Sequence, residues 1–340
     1  MDFTIHIDNQ KRNPKVSVGL PVYNGEKTLA RALDSLLAQD YENFEVLISD
    51  NCSTDKTAAI AMNYSNLDPR FRYFRQPTNL GSIQNFNEVF KLSDGEFFFW
   101  ASHDDFRTTN FISTCLNNLL QDSTAVLCSP RIHFKTPSES EVIWIGDLHT
   151  FQSKKGLVSR FRETLTNFPA AAIYGLFRSS AIKQTELLKD CIASDLIFIQ
   201  NLSMYGTFSQ TNESVFTYVG REVWNSLEQD YATFYGNKKM PRFFSPFFVV
   251  FANQVSVILN STLLNRNKFL LLLILFRYQL FMLMKKVLLK SLKLVPQVGL
   301  RKRLANTIYW RFFHCENVFV AQSEVYAKRI IYPSMGIPSR

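Results

Sequence analysis

The chain has 340 residues, 46% of them hydrophobic and 14% aromatic, enough for one large domain with an appendage and too apolar for a disordered protein. Its formal charge of +9 is unevenly spread: Met1 to Asp230 carries 21 Lys+Arg against 27 Asp+Glu, whereas Tyr231 to Cys315 carries 14 Lys+Arg and no acidic residue. An acidic globular part is thus joined to a basic segment, and the two are expected to meet different partners. Cys52, Cys115, Cys128, Cys191 and Cys315 are scattered without a CxxC pair, which argues against a zinc site or disulfide framework and favours a reducing compartment. Met1 to Lys15 has no apolar core and no small-residue cleavage site, so no signal peptide is expected.

In chain order, Val16 to Leu20 (VSVGL) is a β-branched run predicted to be a strand that stops at Pro21. Lys27 to Gln39 carries Leu29, Ala32, Leu33, Leu36 and Leu37 on one stripe, the pattern of a half-buried helix. Phe44 to Ser49 predicts a second strand. Ser53-Thr54-Asp55 reads as an N-cap for a helix over Lys56 to Tyr64. A third strand is expected at Phe71 to Phe74, a helix over Gly81 to Leu92, and a fourth strand at Glu96 to Ala101. That last strand, with three phenylalanines and a tryptophan, reads as buried on both faces. A helix near 110–121 and a strand from Ala125 to Leu127 follow, and the pattern then loosens to about residue 220.

Strands alternating with helices at this spacing predict βαβ units and a mainly parallel sheet covered by helices. In such sheets ligands bind beyond the carboxyl ends of the strands. Four polar clusters lie there: PVYNGE (21–26), DNCSTD (50–55), NLGSIQNFN (79–87) and HDD (103–105). Adjacent carboxylates raise each other's pKa unless something positive lies between them. The pair Asp104-Asp105 therefore either faces water or holds a cation.

Taken together, and in register, the four clusters resemble the inverting glycosyltransferases of family 2, which have the GT-A (Rossmann-like) fold. The likeness runs from about Val16 to Asp105 and continues more weakly to about Gly206. It implies a nucleoside-diphosphate-sugar donor, UDP- or dTDP-linked, and Mg²⁺ or Mn²⁺. Asp50 would accept from a base N–H, the backbone of Pro21, Val22, Tyr23 and Asn24 would line base and ribose, and Glu26 would lie near the ribose. Asn51, Asn79, Gly81 and Asn85 would complete the donor site. Asp105 would ligate the metal and Asp104 would contact ribose or a bound water. His103 stands where the motif has its first aspartate.

An inverting transfer also needs a base for the acceptor hydroxyl. Asp195, in ASDLIFIQNLSMYG (193–206) after YGLFRSS (174–180), matches that position, with Ser194 in place of the usual acidic neighbour. Arg178 is expected either to reach donor phosphates or acceptor, or to cover a strand end; Arg221 and Trp224 would shape the acceptor side. For Asp55 and Asn87 the plainer readings are a helix cap and a solvated helix face.

Residues from about 243 to 314 read as helical and very apolar. Phe269 to Met284 is a sixteen-residue apolar run with Arg277 near its middle, short of the roughly 20 residues that span a bilayer, and is not predicted to be transmembrane. Gln279, Lys286, Lys290, Lys293 and Gln297 share one helical face, which predicts a helix lying in the plane of an anionic lipid surface. A basic-surfaced bundle packed on the catalytic domain is the alternative. Nucleic acid is not expected, because the basic residues alternate with leucine rather than with stacking aromatics.

The reading is therefore a GT-A catalytic domain over 1–240, with a donor half at about 14–106 and an acceptor half at 107–240. A basic helical region follows over 241–340. The missing signal peptide implies a cytoplasmic enzyme, and the basic amphipathic region one peripheral on the inner membrane; the resemblance implies that it adds sugar to a bacterial polysaccharide or O-antigen on a glycan or lipid-linked acceptor. The alternative is a non-catalytic nucleotide- or sugar-binding scaffold at the membrane.

Overall fold

The computed structural model describes residues 13–135, 144–146, 156–166, 170–219 and 246–292. The strands are β1 (Val16–Val22), β2 (Phe44–Asp50), β3 (Phe71–Arg75), β4 (Phe97–Trp100), β5 (Phe106–Arg107), β6 (Ala125–Lys135), β7 (Trp144–Gly146), β8 (Leu176–Arg178) and β9 (Thr207–Val219). They form one sheet in the order β3-β2-β1-β4-β8-β6-β9-β5, with β7 paired to β6. β1, β2, β3 and β4 run parallel, as do β6 and β9; β5, β7 and β8 run against their neighbours. The sheet is mixed and mainly parallel, as the alternation of elements predicts.

The helices are α1 (Leu29–Leu37), α2 (Thr57–Leu67), α3 (Ser82–Lys91), α4 (Phe111–Gln121), α5 (Leu157–Thr166), α6 (Ser179–Ile182), α7 (Ser194–Leu202), α8 (Pro246–Asn260) and α9 (Asn265–Leu292). The two faces of β4 divide the core. Phe97 and Phe99 join Val16, Val18, Leu20, Leu33 and Ile112 on one side; Phe98 and Trp100 join Val89, Phe177 and Phe198 on the other. All four β4 side chains are fully buried, so the near-continuous aromatic run is explained by cover on both faces.

β1 continues through Pro21 to Val22 instead of stopping before the proline. The pairing of β4 with β1 ends at Gly19↔Trp100, while β2 pairs on to Val22↔Asp50. Proline's missing N–H thus falls beyond the β4 pairing, where it breaks no ladder bond.

A third core lies off the sheet. Phe161 and Leu165 of α5, Ile197 of α7, Val257 and Ile258 of α8, and Leu271 and Leu275 of α9 pack together. The C-terminal helices therefore rest on α5 and α7. The boundary near 240, Lys293 and Gln297 lie outside the described residues, and the side chains of Lys286 and Lys290 are not described.

Candidate active site

The loops after β1 and β2 are laced into one rim. The chain turns at Asn24, in the left-handed region at φ 51°, a conformation asparagine tolerates better than most residues. Its N–H donates to Ser53 Oγ (2.9 Å), and its side-chain oxygen accepts from Thr54 N (2.9 Å). Glu26 N donates to Asp55 Oδ2 (3.0 Å), and Lys56 N donates back to Glu26 Oε2 (3.2 Å). Asp55 also accepts from Thr57 N (3.0 Å), the first residue of α2, while Lys56 stands at the helix's N-cap position. Pro21 and Val22 are buried, while Tyr23 is exposed beside the rim.

Asp50 ends β2 with its side chain fully buried. Its Oδ1 accepts from Ser53 N (2.8 Å), and its Oδ2 accepts from Tyr73 Oη (2.8 Å) and Arg75 Nη1 (2.9 Å). The expected open acceptor is thus enclosed, with the half-exposed Arg75 as its outer cover.

Asn51 holds the next loop. Its Nδ2 donates to Asn79 Oδ1 (2.9 Å) and Gly81 O (3.2 Å), and its Oδ1 accepts from Leu80 N (2.8 Å). Gly81 enters α3 at φ 84°, and no atom lies within 4 Å of where a Cβ would stand. Only the backbone conformation requires glycine here, and the space beside it is open.

Asn85 is turned inward. Its Oδ1 accepts from Ser49 Oγ (2.5 Å) and its Nδ2 donates to Ser49 O (2.9 Å), so its amide anchors α3 to β2 rather than facing the cleft. Asn87 is not solvated either. It exchanges two bonds with the Leu188 backbone, Nδ2 to O at 2.8 Å and Leu188 N to Oδ1 at 3.1 Å. Both asparagines trade helix propensity for a long-range anchor.

The HDD loop closes on the first rim. His103 Nδ1 and Thr28 Oγ1 share a hydrogen bond (3.0 Å), and the imidazole lies against Gly25. A Cβ on Gly25 would come within 2.7 Å of Val22 Cγ2 and 3.2 Å of His103 Nδ1, so the glycine permits this close approach. Arg31 donates to the Asp104 carbonyl and lies over the Phe106 ring at 5.0 Å. Asn24 to Thr28, Asp55, His103 and Asp104 line a cleft of about 500 Å³. The first and last of the predicted strand-end clusters therefore share one opening.

Asp105 lies beneath this surface and is 1% exposed. Its Oδ1 accepts from Val219 N (2.8 Å), while its Oδ2 is buried with no hydrogen-bond partner among the described residues. Burial, and next the charge of Asp104, push its carboxyl up to about 7. An orphaned, negatively biased oxygen of this kind fits a divalent cation. Among the described residues no three His, Cys, Asp or Glu side chains group closely enough to hold one unaided. A cation here would draw its further ligands from a bound diphosphate or water.

Two buried residues missed in the sequence are coupled electrostatically to Asp105. Arg107 is buried, donates to Trp100 O (2.8 Å), and sits 4.7–5.1 Å from the ring centres of Phe99, Phe111 and Phe216. Burial lowers its pKa to about 10, opposed by the charge of Asp105. The Tyr174 phenol is pushed well above its ordinary range by burial, and next by Asp105, Tyr218, Asp104 and Asp195. It thus lies in the field of both the aspartate pair and the predicted base. The signal for Arg107 was its position two residues past the aspartates, in a short strand whose inward side is aromatic.

Asp195 opens α7 after Ala193, which takes a left-handed φ of 57°. Its Oδ1 accepts from Leu196 N (2.8 Å), and burial raises its pKa.

Arg178 is not brought to the cleft. It pairs with Phe97 at the opening of β4, the opposite end from the aspartates, and its guanidinium donates to Leu119 O and to Ala125 O (2.8 Å). It covers the start of the strand and the last turn of α4, the second of the two roles expected for it. Arg221 and Trp224 lie outside the described residues.

Residues 17–183 match the model of glycosyl transferase family 2. An uncharacterized glycosyltransferase of Rickettsia typhi is 37% identical over 119 residues, 34% of this chain and 36% of the relative. WcaA of Escherichia coli K12, provisionally named a colanic acid biosynthesis glycosyl transferase, is 34% identical over 110 residues, 31% of this chain and 38% of the relative. The chain thus spans little more than a third of the length of either relative.

Among solved structures, Staphylococcus aureus TarS 1-349 in complex with UDP-GlcNAc superposes with a TM-score of 0.54 at 21% identity, over 75% of this chain and 69% of that one. The mannosyltransferase PcManGT from Pyrobaculum calidifontis, in complex with GDP-Man and Mn²⁺, gives 0.52 at 16% identity over 89% and 82%. These likenesses establish a shared fold.

Proposed function

We propose that this chain, whose residues 17–183 match the glycosyl transferase family 2 model, transfers a sugar with inversion from a UDP- or dTDP-linked donor to a hydroxyl of a glycan or lipid-linked acceptor. The observation that carries the reading is the orphaned Oδ2 of buried Asp105, beside a cleft that Asp104 shares with the Asn24–Thr28 rim. A structural aspartate would have both oxygens satisfied. The fold neighbours bound to UDP-GlcNAc, and to GDP-Man with Mn²⁺, support a nucleotide-sugar and a divalent ion.

In this reading the backbone from Pro21 to Asn24 lines base and ribose, with Glu26 near the ribose and Asp104 at a hydroxyl or bound water. Asn51 and Asn79 set the loop whose Gly81 leaves room for the sugar. Asp50 meets the base once Arg75 moves off its Oδ2. Asp105 would hold Mg²⁺ or Mn²⁺, which when bound would offset charge gathering on the departing nucleoside diphosphate. The acceptor oxygen attacks the anomeric carbon opposite the leaving group. Asp195 takes the hydroxyl proton, and the bond from that carbon to the phosphate oxygen breaks. The raised pKa of Asp195, caused by burial, makes it a stronger base than an ordinary carboxylate.

Residues up to about 240 form the catalytic unit, and 241–340 associate with an anionic membrane, on the cytoplasmic face of the inner membrane. WcaA's provisional name and the lipid-side basic region support assembly of a bacterial surface polysaccharide, of O-antigen type.

Calorimetry with UDP, dTDP and GDP, with and without Mn²⁺, tests the proposal. One nucleotide should bind only with the metal, and Asp105→Ala should abolish that binding. Absence of metal-dependent binding for all three would sink it.

A further inference from the structure

Helix α9 has two faces with opposite surroundings. Leu271 and Leu275 are fully buried on the acceptor half. Buried amides carry this contact inward: Gln279 Nε2 donates to Gln254 Oε1 (3.1 Å), and Gln254 Nε2 donates to Gln200 Oε1 (2.7 Å). Gln200 belongs to α7, the helix that begins at Ser194-Asp195, so α9 is in register with the helix of the proposed base.

The opposite face carries Phe269, Leu270, Leu273, Phe276, Leu280 and Leu283, all 43–66% exposed. Their spacing of three and four residues makes one continuous stripe. A helix resting on a water-soluble domain normally shows charge on its outer side. Here the stripe is apolar, with Arg266 and Arg277 at exposed positions along it. Asn265–Met284 is long and apolar enough to cross a membrane by length and composition, with a mean hydropathy of 1.5. Its inner face, however, is committed to protein, so lipid can reach only one side.

We propose that the outer stripe of α9 lies in the plane of an anionic bilayer, the side chains from Phe269 to Leu283 entering the acyl boundary while flanking lysines and arginines meet lipid phosphates. Charge selects this occupant. A second copy would bring another segment with 14 basic residues and no acidic one against the first, whereas anionic headgroups supply the opposite sign. The inference deepens the glycosyl-transfer reading and rests on it for purpose, since a docked α9 would set the cleft's orientation above a lipid-linked acceptor.

The test is co-sedimentation of the full chain with phosphatidylcholine vesicles containing about 30% phosphatidylglycerol, and with phosphatidylcholine alone. Binding should favour the anionic vesicles and weaken in high salt. The double substitution Phe276→Asp/Leu280→Asp should weaken it by about tenfold or more, with metal-dependent nucleotide binding unchanged. A Leu273→Cys protein carrying an environment-sensitive dye gives a second measure if the double variant misfolds, and its emission should shift to the blue on anionic vesicles. Equal pelleting of the variant, no blue shift, or a dimer in solution dissolved by the same substitutions would overturn the inference. Loss of nucleotide binding with vesicle binding intact would sink only the transferase reading.

Discussion

The backbone N–H of Val219 donates to Asp105 Oδ1 at 2.8 Å, joining the end of β9 to the aspartate pair across 114 residues. This bond fixes the carboxyl's orientation and leaves Oδ2 as the oxygen available to a cation. Asp105→Asn can keep the Val219 bond through its amide oxygen while losing the charge. The expected result is loss of metal-dependent nucleotide binding by at least about a hundredfold with the fold intact, read by calorimetry beside circular dichroism.

The same residue sets a pH dependence. Asp105 in the folded chain titrates at about 7, against 3.8 for an ordinary aspartate, so between these values the folded state keeps a proton that the unfolded state has released. Its contribution to stability is therefore greatest below about pH 4 and declines as pH rises to about 7, by at most about 1.4 kcal/mol per pH unit. Metal-free protein should melt progressively lower over this range, and Asp105→Asn should flatten the decline. Metal affinity should run the other way, rising with pH through 7 as the carboxylate forms. An equal slope in the variant would show that Asp105 is not the titrating group.

Much of this was legible beforehand, for physical reasons. Strand ends in a parallel sheet announce themselves as apolar runs followed by polar clusters, and the four clusters share the β1, β2, β3 and β4 side of the fold. What sequence could not tell was which polar atoms were already used. The resemblance puts Asn51 and Asn85 in the donor site, and in the structure their amides are bonded to Ser49, Asn79, Leu80 and Gly81. Arg178 likewise offered a free cation on paper and is engaged at the far end of β4. Long-range satisfaction of this kind has no local signature.

Arg107 gives a test of coupling. Its guanidinium is fully buried within reach of three rings, and its charge acts to lower the pKa of Asp105. Arg107→Met should cost about 3 kcal/mol or more, because it strips a buried carboxylate of its counter-charge. In the Asp105→Asn background the same change should cost appreciably less. A double-mutant cycle by chemical denaturation measures the difference, and strict additivity would refute the pairing.

For Asp195 the decisive signature is separation of chemistry from binding. Asp195→Asn preserves the shape of the α7 terminus and can still accept from Leu196 N, but it cannot take a proton. Turnover with a competent acceptor should drop by about 10²–10⁴, with nucleotide affinity within about twofold of the parent. If transfer survives at the parental rate, the base lies elsewhere.

Gly25 tests whether the first and last clusters truly share the cleft. A methyl group there would strike Val22 Cγ2 at 2.7 Å and press on His103 Nδ1 at 3.2 Å, and Val22 is the stiffer side because it is paired to Asp50 of β2 and buried in the core. The HDD loop is the softer side, so Gly25→Ala should move His103 off Thr28 and carry Asp104 with it. The expected cost is about 1–3 kcal/mol in stability, together with nucleotide binding weakened about tenfold or more. Thr28→Val removes the His103 partner without adding bulk at Gly25 and should weaken binding in the same direction but less. If Gly25→Ala lowered stability and left nucleotide affinity untouched, the shared cleft of Asn24–Thr28, His103 and Asp104 would not be the donor site.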